Sequence, residues 1–220
     1  MILETIEVGG CRSYVLGCPK TNIAAVVDPE ISAVERYRGV AAKHGLAIRY
    51  AVDTHTHADH FSATREIGKA LNAQVVMSHL SAAPFVDLRL DDGDMLIVGD
   101  LRIHAIATPG HTADSTCLVV QDHVFTGDTL LIGGTGRTDL PTGDPDKLHE
   151  SLFTKLLKLD PATQIHPAHE YKGRIGSTIG EEIRSNPRLQ KTARADFVEM
   201  MRALNIQAPT HLTEALRVNM

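Results

Sequence analysis

Thr54-His55-Thr56-His57-Ala58-Asp59-His60 follows directly on the strand-like stretch Ile48 to Val52, so three imidazoles and one carboxylate fall within six positions. Imidazole and carboxylate are the donors that suit zinc and non-haem iron. Titratable groups packed this closely are costly unless a cation sits among them. Three of the 12 histidines of the chain are gathered here. His44, His79, His104, His123, His149 and His211 stand singly and read as ordinary structural or surface residues.

Working outward, three further segments put a donor beside a turn. Thr108-Pro109-Gly110-His111-Thr112 places a histidine on a turn at a strand end. Gly127-Asp128-Thr129 places an acid after the apolar strand His123 to Thr126. His166-Pro167-Ala168-His169-Glu170-Tyr171 holds two more histidines, and strand alternation points His166 away from His169. Donors gathered from several strand ends let a rigid scaffold fix a metal and leave positions open. Gly133-Gly134-Thr135-Gly136 lacks the lysine and the strand–helix setting of a phosphate loop, and reads as a tight turn.

Around these segments, strands and helices interleave. Strands are expected at 1–8, 11–17, 23–28, 48–53, 74–78, 95–98, 101–107, 116–121, 123–126 and 164–166. Helices are expected at 31–44, with Gly45 as a stop, at 62–72 and at 146–159. The last forty residues read as mostly helical, with Asn186-Pro187 opening one segment. Hairpin-like neighbours such as 101–107 and 116–121 argue against a purely parallel sheet. The class is mixed α+β in one domain over 1–220, with a short helical extension from about residue 187.

Composition bounds the function. With 220 residues, 43% of them hydrophobic, the chain has material for a real core. A net charge of −5 lacks the basic footprint of a nucleic-acid binder. No stretch approaches the roughly 20 apolar residues of a membrane span, and the N-terminus does not read as a signal peptide. Cys11, Cys18 and Cys117 cannot all pair and read as free thiols. The expected compartment is therefore the cytoplasm, with neither nucleic acid nor membrane as partner.

His55-Thr56-His57-Ala58-Asp59-His60, then His111, Asp128 and His169 in that order, resemble the metallo-β-lactamase fold superfamily over about residues 1 to 190. The resemblance implies an αββα sandwich of two mixed β-sheets flanked by helices, with a metal cleft at one edge. Within the superfamily the chain resembles the persulfide dioxygenases, relatives of glyoxalase II. The markers are Gly127-Asp128-Thr129-Leu130-Leu131-Ile132, Gly136-Arg137-Thr138-Asp139, Pro167-Ala168-His169-Glu170-Tyr171-Lys172-Gly173, and Ser177-Thr178-Ile179-Gly180-Glu181-Glu182 with Asn186-Pro187-Arg188-Leu189.

This resemblance implies one Fe(II) per chain on His55, His111 and Asp128, the two-histidine, one-carboxylate set of non-haem oxygenases. His57, Asp59, His60 and His169 then support the site or hold a second metal. It implies glutathione contacts at Tyr14, Thr112, Arg137, Tyr171 and Arg188, since guanidinium forks grip carboxylates. The implied reaction oxidises glutathione persulfide with O₂ to sulfite and glutathione, in a homodimer. The alternative is a glyoxalase II-type hydroxyacylglutathione thioesterase, with a dinuclear zinc or manganese site activating hydroxide. Cys11 lies near the substrate segment and reads as a buried thiol, with a sulfur relay as its other reading.

Overall fold

Side chains along the strand Cys11–Cys18 serve two interiors at once. The computed structural model describes residues 1–207 and 212–220. One sheet has the order β1 (Ile2–Val8), β2 (Cys11–Cys18), β3 (Ile23–Val27), β4 (Ala47–Val52), β5 (Gln74–Ser78) and β6 (Leu88–Leu90). Its first three strands are antiparallel neighbours, and β3 to β6 run parallel. In the second sheet β7 (Met95–Val98), β8 (Leu101–Ala107), β9 (Thr116–Val120) and β10 (His123–Gly127) form an antiparallel meander. It is extended by β11 (Gln164–Pro167), parallel to β10, and β12 (Ser177–Thr178), antiparallel to β11. Both sheets are mixed, as the hairpin-like pairs in the sequence require.

Three apolar layers hold the sandwich together. Tyr14, Leu16, Ala25, Val27 and Val52 of the first sheet meet Val98, Ile103, Leu118 and Phe125 of the second. The alternate residues Val15, Ala24, Val26 and Ala51 pack outward with Tyr37 and Ile67 of α1 (Val34–Lys43) and α2 (Thr64–Leu71). This two-sided burial is why β2 and β3 are apolar almost without interruption. On the far side Cys117, Val124 and Ile165 pack with Leu148, Phe197 and Met201, from α3 (Pro145–Glu150) and α5 (Arg194–Arg202). Each large apolar side chain taken out of water contributes about 1.5–3 kcal/mol before entropy is subtracted.

The helical reading of 146–159 needs one correction. The path starts at the Asp144 cap as α3, widens into a π turn at Ser151–Lys155 and tightens into a 3-10 turn at Leu156–Lys158. Leu148, Leu152 and Leu156 are all fully buried. An i, i+4 row drifts around a regular 3.6-residue helix, and a wider turn keeps such a row on one face. α4 (Ile179–Ser185) starts at a capping box in which the Thr178 hydroxyl and the Glu181 carboxylate accept from each other's backbone N–H. α6 (Leu212–Asn219) follows. β6 and β12 escape sequence reading because three and two residues are too few to display a period. Among the described residues, no helix is long and apolar enough to cross a membrane.

Candidate metal centre

Every donor segment named from the sequence leaves the same edge of the sandwich. The His55–His60 run follows β4, His111 lies between β8 and β9, Asp128 follows β10, and His169 follows β11. Gly127, at φ 50, turns the chain so that Asp128 enters the site. An added Cβ there would meet the Thr54 hydroxyl and lie 3.3 Å from His55 Nδ1. His55, His57, His60, His111 and His169 are all buried.

Hydrogen bonds behind the histidines decide which nitrogens are free. Asp28, just past β3, accepts from the Thr54 backbone N–H at 2.7 Å and from the Thr54 hydroxyl at 3.0 Å. With its proton committed to Asp28, that hydroxyl accepts from His55 Nδ1–H at 3.0 Å. Asp28 also accepts from His57 Nε2–H at 3.2 Å. One carboxylate thus fixes the tautomers of two histidines and leaves His55 Nε2 and His57 Nδ1 as lone pairs. His111 donates Nδ1–H to the Arg137 carbonyl at 2.8 Å, which leaves its Nε2 free, 3.5 Å from Asp128 Oδ2. His169 Nδ1 lies 2.6 Å from Asp128 Oδ1 and its Nε2 lies 2.8 Å from Asp59 Oδ2.

Among the described residues, His55 Nε2, His57 Nδ1 and His60 Nε2 are buried with no hydrogen-bond partner. A buried nitrogen left unpaired costs about 1–3 kcal/mol, and three clustered ones fit a cation that takes their lone pairs. Donor atoms of His55, His111 and Asp128 lie within 4.8 Å of one another. Burial and then the neighbouring His57 push the His55 pKa down to about 3. Burial raises the Asp128 carboxyl, but its histidine neighbours, His169 first, outweigh this and hold it well below the usual carboxylate range. Neutral imidazoles beside an ionised carboxylate are the protonation states in which these groups bind metal.

The remaining sequence-named residues are placed unevenly. Tyr171 is 70% exposed, with its ring stacked parallel to His169 at 5.7 Å. Tyr14 is buried between the sheets, its ring edge on Phe125 and its hydroxyl donating to the Pro167 carbonyl at 2.7 Å. Thr112 donates its hydroxyl to Asp114 at 2.6 Å, within its own loop. Arg188 donates from Nη1 to the Thr135 carbonyl and hydroxyl. Arg137 forks onto both oxygens of Asp139 at 2.6 Å and also donates to the carbonyls of Ile206 and Gln207. Both arginines thus tie neighbouring segments together. Thr112 likewise keeps its hydroxyl occupied. His166 packs on Phe125 and Tyr14, in the structural role its alternation suggests. His211 lies outside the described residues.

Sequence reading missed three contributors. Asp28 carries the tautomer relay, and its signal is the Asp-Pro pair closing an apolar strand. Asp114 accepts from the Thr56 N–H and hydroxyl and from Thr112, tying the histidine run to the His111 loop. Asn219 donates to the carbonyls of His57 and His60 and accepts from the Ser62 N–H. Nothing local announces the last two. Cys11, the buried thiol of the sequence reading, sits 3.6 Å from His60 Nδ1.

Comparison with known proteins agrees with this geometry. Residues 6–169 match the metallo-beta-lactamase superfamily, which sets the class. The mitochondrial persulfide dioxygenase ETHE1 of Bos taurus is 37% identical over 224 residues, spanning 100% of this chain and 87% of the relative. The Homo sapiens protein of the same name gives the same identity and coverage. The crystal structure of ETHE1 from Myxococcus xanthus superposes with a TM-score of 0.97 at 36% identity, covering 100% of this chain and 98% of that one. The chain belongs to the metallo-β-lactamase superfamily and, within it, to the persulfide dioxygenase family. The αββα sandwich of two mixed sheets is the fold of that class.

Proposed function

We propose that this protein is an iron-dependent persulfide dioxygenase that oxidises glutathione persulfide with O₂ to sulfite and glutathione. The observation that carries this reading is the convergence of His55, His111 and Asp128 in a chain related over its whole length to persulfide dioxygenases. Two imidazoles and one carboxylate on one face leave positions open for substrate and O₂, which fits non-haem Fe(II), one per chain. Iron held by these three residues would supply the redox chemistry that O₂ needs to react with the persulfide.

The protein's own groups do the rest. Asp28, through Thr54, holds His55 with Nε2 presented, and the Arg137 carbonyl does the same for His111. His169 supports Asp128 through its Nδ1 contact. Tyr171 offers an exposed aromatic face over His169, and Arg137 and Arg188 would supply the guanidinium groups that grip the two glutathione carboxylates. In the overall reaction both atoms of O₂ end on the outer sulfur and water supplies the third oxygen of sulfite. The S–S bond breaks, and the inner sulfur leaves as glutathione.

An iron-loaded sample kept anaerobic, then given glutathione persulfide and air, should consume O₂ and release sulfite. No O₂ uptake would refute the proposal. Hydrolysis of lactoyl-glutathione, without O₂ uptake, would instead favour the thioesterase chemistry of a bridged dinuclear site.

A further inference from the structure

At one end of the sandwich an arginine stands where the core pattern calls for an apolar residue. Along β2, Arg12 shares the inward face of Tyr14, Leu16 and Cys18, which belong to the core between the sheets. Its side chain is 9% exposed. Strand register sets Glu7 of β1 directly across from it. From the other sheet, His166 of β11 closes the same gap, stacked on Phe125. With Arg36 of α1 and Arg174 of the loop before β12, these residues line a cavity of 660 Å³. Thr112, Arg137, Tyr171 and Arg188 take no part in that lining.

The guanidinium of Arg12 is only partly used. It donates from Nε to Glu7 at 2.7 Å and from Nη2 to the Arg174 carbonyl at 2.7 Å. Neither bond uses Nη1, which keeps two N–H groups for another acceptor. Arg36 donates to the Glu7 backbone carbonyl at 2.9 Å, so a second guanidinium is tied to the same strand residue. Arg174 pairs with the buried carboxylate of Glu170 at 3.2 Å. Three guanidinium groups thus face two carboxylates, and one positive charge is left unmatched in a chain whose net charge is −5. Burial first, then His123 and Arg12, push the His166 pKa down to about 4, so this ring adds no charge to the count.

We propose that this cavity is a binding site for a small anionic molecule, whose oxyanion head is held by Arg12 Nη1 and by Arg36. A nearly buried guanidinium is costly unless its donors meet acceptors, and an oxyanion there completes them with charge-assisted bonds. The volume falls among those of small-molecule sites, so the ligand has room for a body beyond its head group. The site shares no donor residue with the metal centre, and the assignment stands whatever reaction runs there.

The test is titration calorimetry of the metal-loaded full chain at low salt, with succinate and with sulfate as probes. At least one of them should bind saturably, one per chain, and more weakly as salt is raised. Arg12→Gln should weaken that binding at least about tenfold. Glu7→Gln, which removes the exposed acid competing for Arg12, should tighten it severalfold. Absence of saturable binding of both anions to the wild type overturns the proposal and needs no variant to fold. An unchanged affinity in Arg12→Gln assigns the anion to the metal centre and overturns it too. Should that variant not fold, an unchanged affinity in Glu7→Gln does the same.

Discussion

Asn219, on the C-terminal helix α6, donates its side-chain amide to the backbone carbonyl of His57 at 2.9 Å. The same Nδ2 donates to the His60 carbonyl at 2.9 Å, and its Oδ1 accepts from the Ser62 N–H at 3.1 Å. The Nδ2 group of this buried amide is therefore spent on the histidine run, and its oxygen holds Ser62 just beyond it, some 160 residues earlier in the chain.

Asn219→Ala would leave two carbonyls and one N–H unpaired, at a cost of about 1–3 kcal/mol. The expected result is a lower melting temperature with faster metal loss to a chelator. Asn219→Asp, which turns acceptors toward acceptors, should be worse than the alanine. Equal metal-loss rates in all three proteins would show that α6 does not steady the site.

Asp28→Asn removes the carboxylate that orients His55 through Thr54 and His57 directly. Outer partners of this kind are worth roughly 10–100-fold in metal affinity. Competition with a chromophoric chelator should show a loss of that size, with the circular dichroism spectrum unchanged.

Gly136 lies where a side chain would strike both halves of the centre. A Cβ there would collide with the Asp128 carbonyl and sit 2.8 Å from His111 Nδ1. Gly136→Ala should therefore reduce metal content in the purified protein and lower kcat by at least about tenfold. Elemental analysis and steady-state O₂ uptake measure the two effects.

Asp53 gives the metal-free protein a specific pH dependence. Burial first, and the neighbouring Asp28 second, raise its pKa from 3.8 to about 7. Between those values the folded chain holds a proton that the unfolded chain has released, so stability falls as pH rises through this window and stays lower above it. Asp53→Asn, whose carbonyl can still accept from the Ser62 and Thr64 hydroxyls, should flatten that fall. Thermal melts at pH 4 to 8 should show the wild type losing several degrees more than the variant.

Arg137 divides its guanidinium between Asp139 and the carbonyls of Ile206 and Gln207. If it also grips a substrate carboxylate, Arg137→Ala should raise KM for glutathione persulfide about tenfold while kcat changes little. A matched loss in kcat and in melting temperature, with KM unchanged, would confine Arg137 to holding the 206–207 segment.

The sequence by itself carried the donor types, their order and their places at strand ends. His55, His111, Asp128 and His169 were legible because each follows a short apolar run and a turn residue, which are local signals. The apolar strands of the sandwich were legible for the same reason, and β6 and β12 were not, being too short for a period. Tertiary structure alone decided which nitrogens stay free, because that depends on Asp28 meeting Thr54, 26 residues on. It alone set the Tyr14 ring between the sheets, tied Arg137 and Arg188 to distant carbonyls, set Cys11 beside His60, and brought Asn219 under the histidine run. Periodicity reports the face a residue shares with its near neighbours, whereas these contacts are set by sheet register and by where distant segments come to rest.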